Sequence, residues 1–116
     1  MTMFTGEIDL KSLFKSESDL LAAILQDDVS GEVLMLGWVN REALELTLAT
    51  GKATFWSRSR NSIWVKGETS GNYQEVLAIT IDCDQDAFLF KVKSSGPVCH
   101  TGKESCFHEQ VMGNNF

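Results

Sequence analysis

The chain has 116 residues, of which 43% are hydrophobic and 22% charged, and its formal net charge is −6. These values fit one globular domain over residues 1–116, and the acidic balance disfavours general nucleic-acid binding, which needs a basic surface. No apolar run reaches the roughly 18 residues of a membrane span, and residues 1–15 lack the apolar stretch of a signal peptide, so we expect a cytoplasmic protein without membrane partners.

The first half of the chain predicts a β-hairpin. Residues 1–18 are polar and mixed, and we expect them to pack loosely. The apolar run 20–25 suits a strand or a helix, and the polar stretch 27–31 predicts a turn. A buried strand is expected at 33–39.

A short amphipathic helix is expected at about 41–50. Asn40 is a good N-cap, and Glu42 lies in the first turn, where the helix dipole favours an acid. Leu44 and Leu48 fall on one face. Gly51 stands where a helix C-terminus commonly has its glycine.

The second half of the chain is rich in predicted strands. These strands cover residues 53–58, 62–66, 73–83 and 87–92. Alternation within 73–83 predicts one face made of Leu77, Ile79, Ile81 and Cys83. A glycine-bearing loop is expected at 67–72, and the chain from Ser94 onward is loop-like. We expect a strand-rich α+β fold, with a folded antiparallel or mixed sheet or a pseudobarrel, and one helix.

Three aspartates alternate at the end of the strand predicted for 73–83: Asp82, Asp84 and Asp86. Strand geometry would place them on one face and Cys83 on the other. Carboxylates this close repel each other unless a cation or water screens them, and hard oxygen ligands suit Mg²⁺ or Ca²⁺. A solvated acidic turn explains the same pattern.

The three cysteines are Cys83, Cys99 and Cys106, an odd number that argues against a disulfide framework in a cytosolic chain. Three thiolates can hold a tetrahedral Zn²⁺ and leave the fourth position for a reactive water. Two alternatives are a closed Cys₃His structural site that uses His100 or His108, and a redox pair of Cys99 and Cys106. For Cys83, burial as a small hydrophobic side chain is a further alternative.

His100 follows Cys99 directly in the sequence. Adjacent residues rarely reach one metal together, so His100 suits proton transfer better than ligation. A surface histidine explains the position equally well. His108 carries a weaker signal.

A basic and polar stretch without acids runs from residue 52 to residue 67. Arg58 and Arg60 would share a strand face, and arginine binds phosphate in bidentate fashion. Trp56 and Trp64 can stack on a base, although tryptophans at this spacing are more often core. A further group can offer charge, hydroxyls or backbone N–H groups to an anion: Lys66, Thr69, Ser70, Gly71 and Asn72. A solvated strand and loop is the plain alternative.

Taken in order, these motifs resemble those of the phosphoribosyl-AMP cyclohydrolases of histidine biosynthesis, in their stand-alone form. The matching stretches are 33–44, 56–60, 64–72, 82–86, 99–102 and 105–107. The chain departs from the family pattern at Leu21-Ala22-Ala23, where an Ile-Pro pair is common, and at Gly37, where alanine is common.

The resemblance implies an obligate homodimer whose active sites lie between subunits. It implies a Zn²⁺ held by Cys83 of one subunit and by Cys99 and Cys106 of the other. It also implies a Mg²⁺ site at the three aspartates.

The implied reaction is the third step of histidine biosynthesis, in which zinc-activated water opens the N1–C6 bond of N1-(5-phosphoribosyl)-AMP. His100 is the expected proton shuttle. The expected phosphate ligands are Arg58, Arg60, Lys66 and the loop 69–72. An alternative from another class is a non-enzymatic binding module in which zinc only staples a small fold.

Overall fold

The structure of the protein is a computed structural model that describes residues 9–113. Its elements in chain order are α1 (Leu10–Leu13), β1 (Leu21–Asp27), β2 (Val33–Val39), α2 (Arg41–Thr50), β3 (Thr54–Ser57), β4 (Ser62–Val65), β5 (Gln74–Ile81) and β6 (Ala87–Ser94). This order confirms the expected strand-rich α+β fold. None of the described helices is long and apolar enough to cross a membrane.

Four of the strands form one mixed sheet in the order β2-β1-β6-β5. Strand β1 pairs antiparallel with β2 and parallel with β6, and β5 pairs antiparallel with β6. Strands β3 and β4 form a separate antiparallel hairpin. The predicted mixed sheet is confirmed. The alternative of a pseudobarrel is wrong for residues 9–113, because the described strands form two open sheets and no closed one.

The core lies against one face of the four-stranded sheet. Strand β1 buries every second side chain over its first five residues, which shows that the apolar run at 20–25 is a strand rather than a helix. Strand β6 buries Phe88, Phe90 and Val92 in the same alternation. Helix α2 and strand β3 contribute the fully buried side chains of Leu44 and Phe55.

Helix α2 begins and ends as its sequence predicts. The Asn40 side chain accepts a hydrogen bond of 2.8 Å from the backbone N–H of Ala43 and so caps the first turn. Gly51 adopts φ +77°, and its N–H donates to the carbonyl of Thr47. A left-handed residue at this place closes the last turn, and glycine has no Cβ to oppose it.

The N-terminal segment packs more firmly than expected where the structure describes it. Leu13 and Phe14 are buried, and the Phe14 ring lies 6.2 Å from that of Phe88, centroid to centroid. The prediction of loose packing is therefore wrong for these two residues, whose apolar side chains complete the core. Residues 1–8 lie outside the described part of the chain.

A β-bulge in β5 changes the predicted face of that strand. Val76 is opposite Val92 and Ala78 is opposite Lys91, so Leu77 is the extra residue. Its side chain is consequently 43% exposed. Only Ile79 and Ile81 of the predicted face pack against the core, because one inserted residue reverses which side chains point inward.

The departure from the family pattern at Gly37 has a packing reason. A Cβ built on Gly37 would lie 2.5 Å from the ring of Phe55, which is fully buried. The missing side chain lets this ring lie directly against β2. Gly37 and Phe55 are therefore matched to each other.

Candidate active site

A cavity of about 420 Å³ collects half of the site residues that the sequence predicts. The predicted residues that line it are Arg60, Lys66, Thr69, Ser70, Asn72, Cys99 and His100. A larger cavity of about 680 Å³, lined by Leu48, Tyr73 and Leu77 among others, contains none of the predicted site residues. The smaller cavity is therefore the candidate active site.

One wall of the cavity is the glycine loop, defined here as residues 66–72. Gly67 adopts φ +90°, and a Cβ there would collide with the backbone carbonyl of Asn72. The Gly71 N–H donates to the Gly67 carbonyl over 2.7 Å, which folds the loop back on itself. Glycine is required at position 67 both for its left-handed conformation and for this close backbone approach.

Another part of the cavity wall belongs to the thiol loop, defined here as residues 98–106. The Cys99 N–H donates to the Lys103 carbonyl over 3.1 Å, and the Gly102 N–H donates back to the Cys99 carbonyl over 2.9 Å. Gly102 adopts φ +91°, which closes the turn. These bonds fix Cys99 at the base of a tight turn.

The end of the thiol loop is anchored to β2, an edge strand of the main sheet. The Cys106 N–H donates to the Leu34 carbonyl over 2.7 Å. The buried Ser105 hydroxyl donates to the Val33 carbonyl over 2.7 Å and accepts from the Phe107 N–H over 2.9 Å. The otherwise unpaired backbone groups of an edge strand thereby hold the second cysteine in place.

The Cys99 sulfur lies in surroundings that stabilise a thiolate. The Thr101 hydroxyl is 3.1 Å from Sγ, and the His108 Nε2 is 3.8 Å from it. Hydrogen bonds from the Thr101 hydroxyl and then from the Thr101 N–H lower the pKa of Cys99 to about 6. Cys99 therefore carries negative charge at neutral pH, as a metal ligand must.

Cys106 adjoins Cys99 but has the opposite shift. Burial raises the pKa of the Cys106 thiol, and the neighbouring Cys99 charge and hydrogen bond raise it further. The Lys66 ammonium opposes this rise. Of the two cysteines, Cys99 is therefore the first to lose its proton. Lys66 of the glycine loop interacts with Cys106 through its positive charge.

The two histidines occupy different places. His100 is exposed and lines the cavity, where the sequence hypothesis of proton transfer would need it. His108, which carried the weaker signal in the sequence, is the histidine that contacts the Cys99 sulfur. His108 was one of the two histidines considered for a Cys₃His site, and that alternative was the sign in the sequence that it could lie near the cysteines.

Cys83 lies apart from the other two cysteines within one chain. Among residues 9–113, no group of three possible ligands within mutual reach includes a cysteine. The expectation that Cys83 ends an apolar strand face is wrong, and so is the alternative that it is buried. Strand β5 stops at Ile81, and Cys83 is exposed in the turn that follows.

The aspartate turn, defined here as residues 82–86, gathers three carboxylates. One oxygen each from Asp82, Asp84 and Asp86 lies within 4.8 Å of the others. The predicted proximity is confirmed, but a turn produces it rather than a strand: Gln85 has φ +60°, and the Asp86 N–H donates to Asp82 Oδ1 over 2.9 Å.

The three carboxyl groups of the aspartate turn share protons unequally. Hydrogen bonds with the carboxyl groups of Asp82 and then Asp84 raise the pKa of Asp86 to about 6. The Asp86 N–H, by contrast, lowers the pKa of Asp82. The cluster of three carboxyl groups thus binds a proton where a cation could bind instead. Carboxylate oxygens are the kind of ligand that Mg²⁺ prefers.

The two arginines do not share a strand face, which corrects the sequence prediction. Strand β3 ends at Ser57, and residues 58–61 form the turn to β4, with Asn61 at φ +53°. Arg60 lines the cavity, whereas the Arg58 guanidinium lies 4.7 Å from the centre of the Trp38 ring and outside it. In a turn, side chains two residues apart need not point the same way. The period-two alternation of a strand therefore does not apply to Arg58 and Arg60.

Comparison with known proteins places the chain in a family. The family model described as phosphoribosyl-AMP cyclohydrolase matches residues 35–108. Proteins named phosphoribosyl-AMP cyclohydrolase are 59% identical in Hyphomonas neptunium over 84% of this chain and 74% of the relative, and 54% identical in Chloroherpeton thalassium over 85% and 71%. A third, from Clostridium botulinum, is 56% identical over 85% of this chain and 90% of the relative.

The chain belongs to the phosphoribosyl-AMP cyclohydrolase family. It is accordingly a hydrolase of histidine biosynthesis. The resemblance stated from the motifs is confirmed. The matched stretch of the cyclohydrolase model contains every site residue predicted from the sequence, from Arg58 to Cys106.

Two residues of this cyclohydrolase site were missed by sequence reasoning. Thr101 bonds to the Cys99 sulfur, and Ser105 anchors the thiol loop to β2. A hydroxyl two residues after a cysteine is the only sequence signal for Thr101. No local pattern around Ser105 predicts its anchoring role, because its partner Val33 lies 72 residues away in the chain.

Proposed function

We propose that this cyclohydrolase opens the purine ring of N1-(5-phosphoribosyl)-AMP by hydrolysis between N1 and C6. The observation that carries the proposal is the cavity in which Cys99 and His100 face the glycine loop, with Lys66, Thr69 and Ser70. A thiolate and a proton carrier thus line the same cavity as groups that suit a phosphate. A module in which zinc only staples the fold offers no reason for this juxtaposition.

The donor chemistry of the thiol loop fits a catalytic Zn²⁺. Cys99 is a thiolate near neutral pH, and Cys106 is hydrogen-bonded to it. We propose that Cys83 of a second subunit completes the set of three sulfur ligands, which leaves one position for solvent. When bound, Zn²⁺ would lower the pKa of water and polarise the C6 centre.

A homodimer follows from this ligand set, and apolar side chains near the thiol loop support it. Leu36 on the edge strand β2 is 45% exposed, and Phe107 beside Cys106 is 62% exposed. Val111 and Met112 are also exposed apolar side chains. Exposed apolar side chains of this kind are available for contact with another protein chain.

The chain's own residues bind the substrate and move its protons. Lys66, with the hydroxyls of Thr69 and Ser70, would bind phosphate, and Arg60 would add positive charge at the cavity rim. Arg58 and Gly71 remain predicted phosphate ligands that the cavity itself does not include. The aspartate turn would hold Mg²⁺ through its three carboxylates.

His100 would transfer the proton that the reaction requires. The oxygen of water bonds to C6, the N1–C6 bond breaks, and N1 takes a proton while it keeps its phosphoribosyl group. C6 keeps its amine and becomes the carboxamide carbon. An exposed histidine on the cavity wall can accept a proton from water and deliver it to N1.

The test is an ultraviolet assay of the purified protein with synthetic phosphoribosyl-AMP. We expect turnover that a zinc chelator abolishes and added Zn²⁺ restores. His100→Asn should lower kcat by about 10²-fold or more and keep the zinc content, while Lys103→Ala, a change in an exposed side chain of the same turn, serves as the control. A protein that retains zinc but never converts the nucleotide would reject the proposal.

A further inference from the structure

Asn72 lies where the two walls of the candidate active site meet. Its side-chain Nδ2 donates a hydrogen bond of 3.2 Å to the Pro97 carbonyl, which directly precedes the thiol loop. Asn72 is itself the last residue of the glycine loop. One side chain therefore joins two segments that are 25 residues apart.

Gly96 is shaped to receive the Asn72 side chain. A Cβ built on Gly96 would lie 2.5 Å from Asn72 Oδ1 and 2.9 Å from its Cγ. The φ angle of Gly96 lies outside the left-handed region, so its backbone does not require glycine. Space for the Asn72 amide explains the absence of a side chain here.

The backbone of Asn72 is also held from the core. Its carbonyl accepts a hydrogen bond of 3.2 Å from Gln74 Nε2. The Gln74 side chain is fully buried and donates to the Ser94 hydroxyl over 3.0 Å as well. The Asn72 N–H donates to the Ser70 hydroxyl over 3.2 Å. These contacts leave little freedom for Asn72 to turn toward a ligand.

We infer that Asn72 is a positioning residue, which sets the distance between the glycine loop and the thiol loop, rather than a phosphate ligand as the sequence suggested. This inference rests on the proposed function, because the two loops carry the proposed phosphate ligands and the proposed zinc ligands. The latch formed by Asn72, Gly96 and Pro97 holds the two loops at the spacing at which a bound nucleotide would meet Cys99 and His100. Its loss displaces the reacting groups and leaves the phosphate ligands in place.

The first experiment measures steady-state kinetics of the zinc-loaded Asn72→Ala and Asn72→Asp variants. Both lose the Nδ2 donor, and Asp keeps the shape of the side chain. We expect kcat to fall by about tenfold to 100-fold, the magnitude typical of a small misplacement of reacting groups. KM of Asn72→Ala should change by less than about threefold, because ground-state binding is kept. Zinc content and the thermal unfolding midpoint should stay near wild type.

Gly96→Ala tests the latch from its other side. The new Cβ must push the Asn72 amide away, so this variant should reproduce the kinetic defect of Asn72→Ala. In the double variant, the shortened side chain at position 72 leaves room for the new methyl group at position 96, and the defect should be no larger than in Asn72→Ala alone. Ser95→Ala, at the exposed neighbour of Gly96, is the matched control and should keep wild-type kcat. Defects that multiply in the double variant would overturn the inference.

Hydrogen exchange separates this inference from the proposed function, because it needs no substrate. Amides of residues 98–104 should exchange faster in Asn72→Ala and Gly96→Ala than in wild type or Ser95→Ala. Unchanged exchange, or a raised KM with normal kcat, would show that Asn72 is no latch. If the two variants exchange faster as expected but the wild-type protein has no turnover, the proposed function fails and the latch stands.

Discussion

The aspartate turn and the thiol loop are both candidate metal sites, but the chain assembles them by different means. In the aspartate turn, five consecutive residues bring three carboxylates within 4.8 Å of one another. In the thiol loop, Cys99 and Cys106 depend on a tight turn and on hydrogen bonds to the distant strand β2. Within residues 9–113, the first group of ligands is complete in one chain, whereas the second has two sulfurs and no third.

This difference is what the proposed sharing of the zinc site between two chains would explain. The aspartate turn is exposed, and its carboxyl groups share a proton among themselves. The thiol loop places its charge on a buried Cys99, and Cys83 lies exposed on another part of the chain. Since Cys83 is in the aspartate turn, a second chain that brings Cys83 to the thiol loop would bring the two metal sites together.

Subunit complementation is the prediction with the largest expected effect. Cys83→Ser and Cys99→Ser should each lower kcat by about 10³-fold or more, because each removes a proposed zinc ligand. When the two inactive variants are unfolded together and refolded, half of the dimers are mixed, and each mixed dimer has one intact site. About a quarter of the wild-type activity should return. A mixture of Cys99→Ser with Cys106→Ser is the control and should stay inactive, because both lesions lie in the same half-site.

Thr101 offers a smaller test of the thiol loop alone. Thr101→Val keeps the shape of the side chain but removes the hydroxyl that lies 3.1 Å from the Cys99 sulfur. Zinc affinity, measured by competition with a chromogenic chelator, should fall by about 10- to 100-fold, as is usual when a hydrogen bond to a ligand is lost. Thr101→Ser retains the hydroxyl and should bind zinc normally. Equal affinities for the two variants would contradict the role given to the hydroxyl.

The parts of the fold that follow from local sequence were predictable. Strands were predicted at 33–39, 53–58, 62–66, 73–83 and 87–92, while the run 20–25 was left open between strand and helix. Asn40 and Gly51 predicted both ends of helix α2. Three errors came from assuming regular alternation through irregular backbone: the bulge at Leu77, the turn that carries Arg58 and the turn that carries Cys83. A bulge or a turn depends on the pairing partner, which the sequence of a single strand does not contain.

The candidate site also has parts that the local sequence predicts and parts that it does not. The aspartates are neighbours in sequence, so their proximity was predictable. The anchoring of Ser105 on Val33 and the contact of Asn72 with Pro97 join residues that are 72 and 25 positions apart. Such contacts exist only after the sheet has formed, and no local pattern predicts them.

The pH dependence of cation binding tests the aspartate turn separately from the thiol loop. Asp86 has a pKa of about 6 in the folded protein, above its ordinary value of 3.8, because Asp82 and Asp84 share its proton. A cation must displace that proton, so Mg²⁺ affinity should rise by about tenfold per pH unit up to about pH 6 and then level off. Isothermal titration calorimetry between about pH 4.5 and about pH 7.5 measures this slope, and Asp86→Asn should abolish it.

The raised pKa of Asp86 also determines how the stability of the fold changes with pH. The proton on Asp86 stabilises the metal-free fold below about pH 4, and this contribution is lost as pH rises through about 6. Denaturant unfolding of metal-free wild type and Asp86→Asn should therefore differ in their pH dependence over this interval. Parallel curves would show that the three carboxyl groups do not share a proton.

Ser105→Ala has the smallest expected effect and tests whether the thiol loop depends on the fold of one chain. The Ser105 residue is 5% exposed, and its hydroxyl serves both the Val33 carbonyl and the Phe107 N–H. Its loss leaves these groups without that partner, which should lower the free energy of unfolding by about 1–3 kcal/mol. Ser62→Ala, at an exposed position of β4, should change it by less than about 0.5 kcal/mol. Because the described hydrogen bonds of Ser105 all lie outside the aspartate turn, Mg²⁺ affinity should stay unchanged while zinc affinity falls; a parallel loss of both would mean that the two sites are coupled through the chain itself.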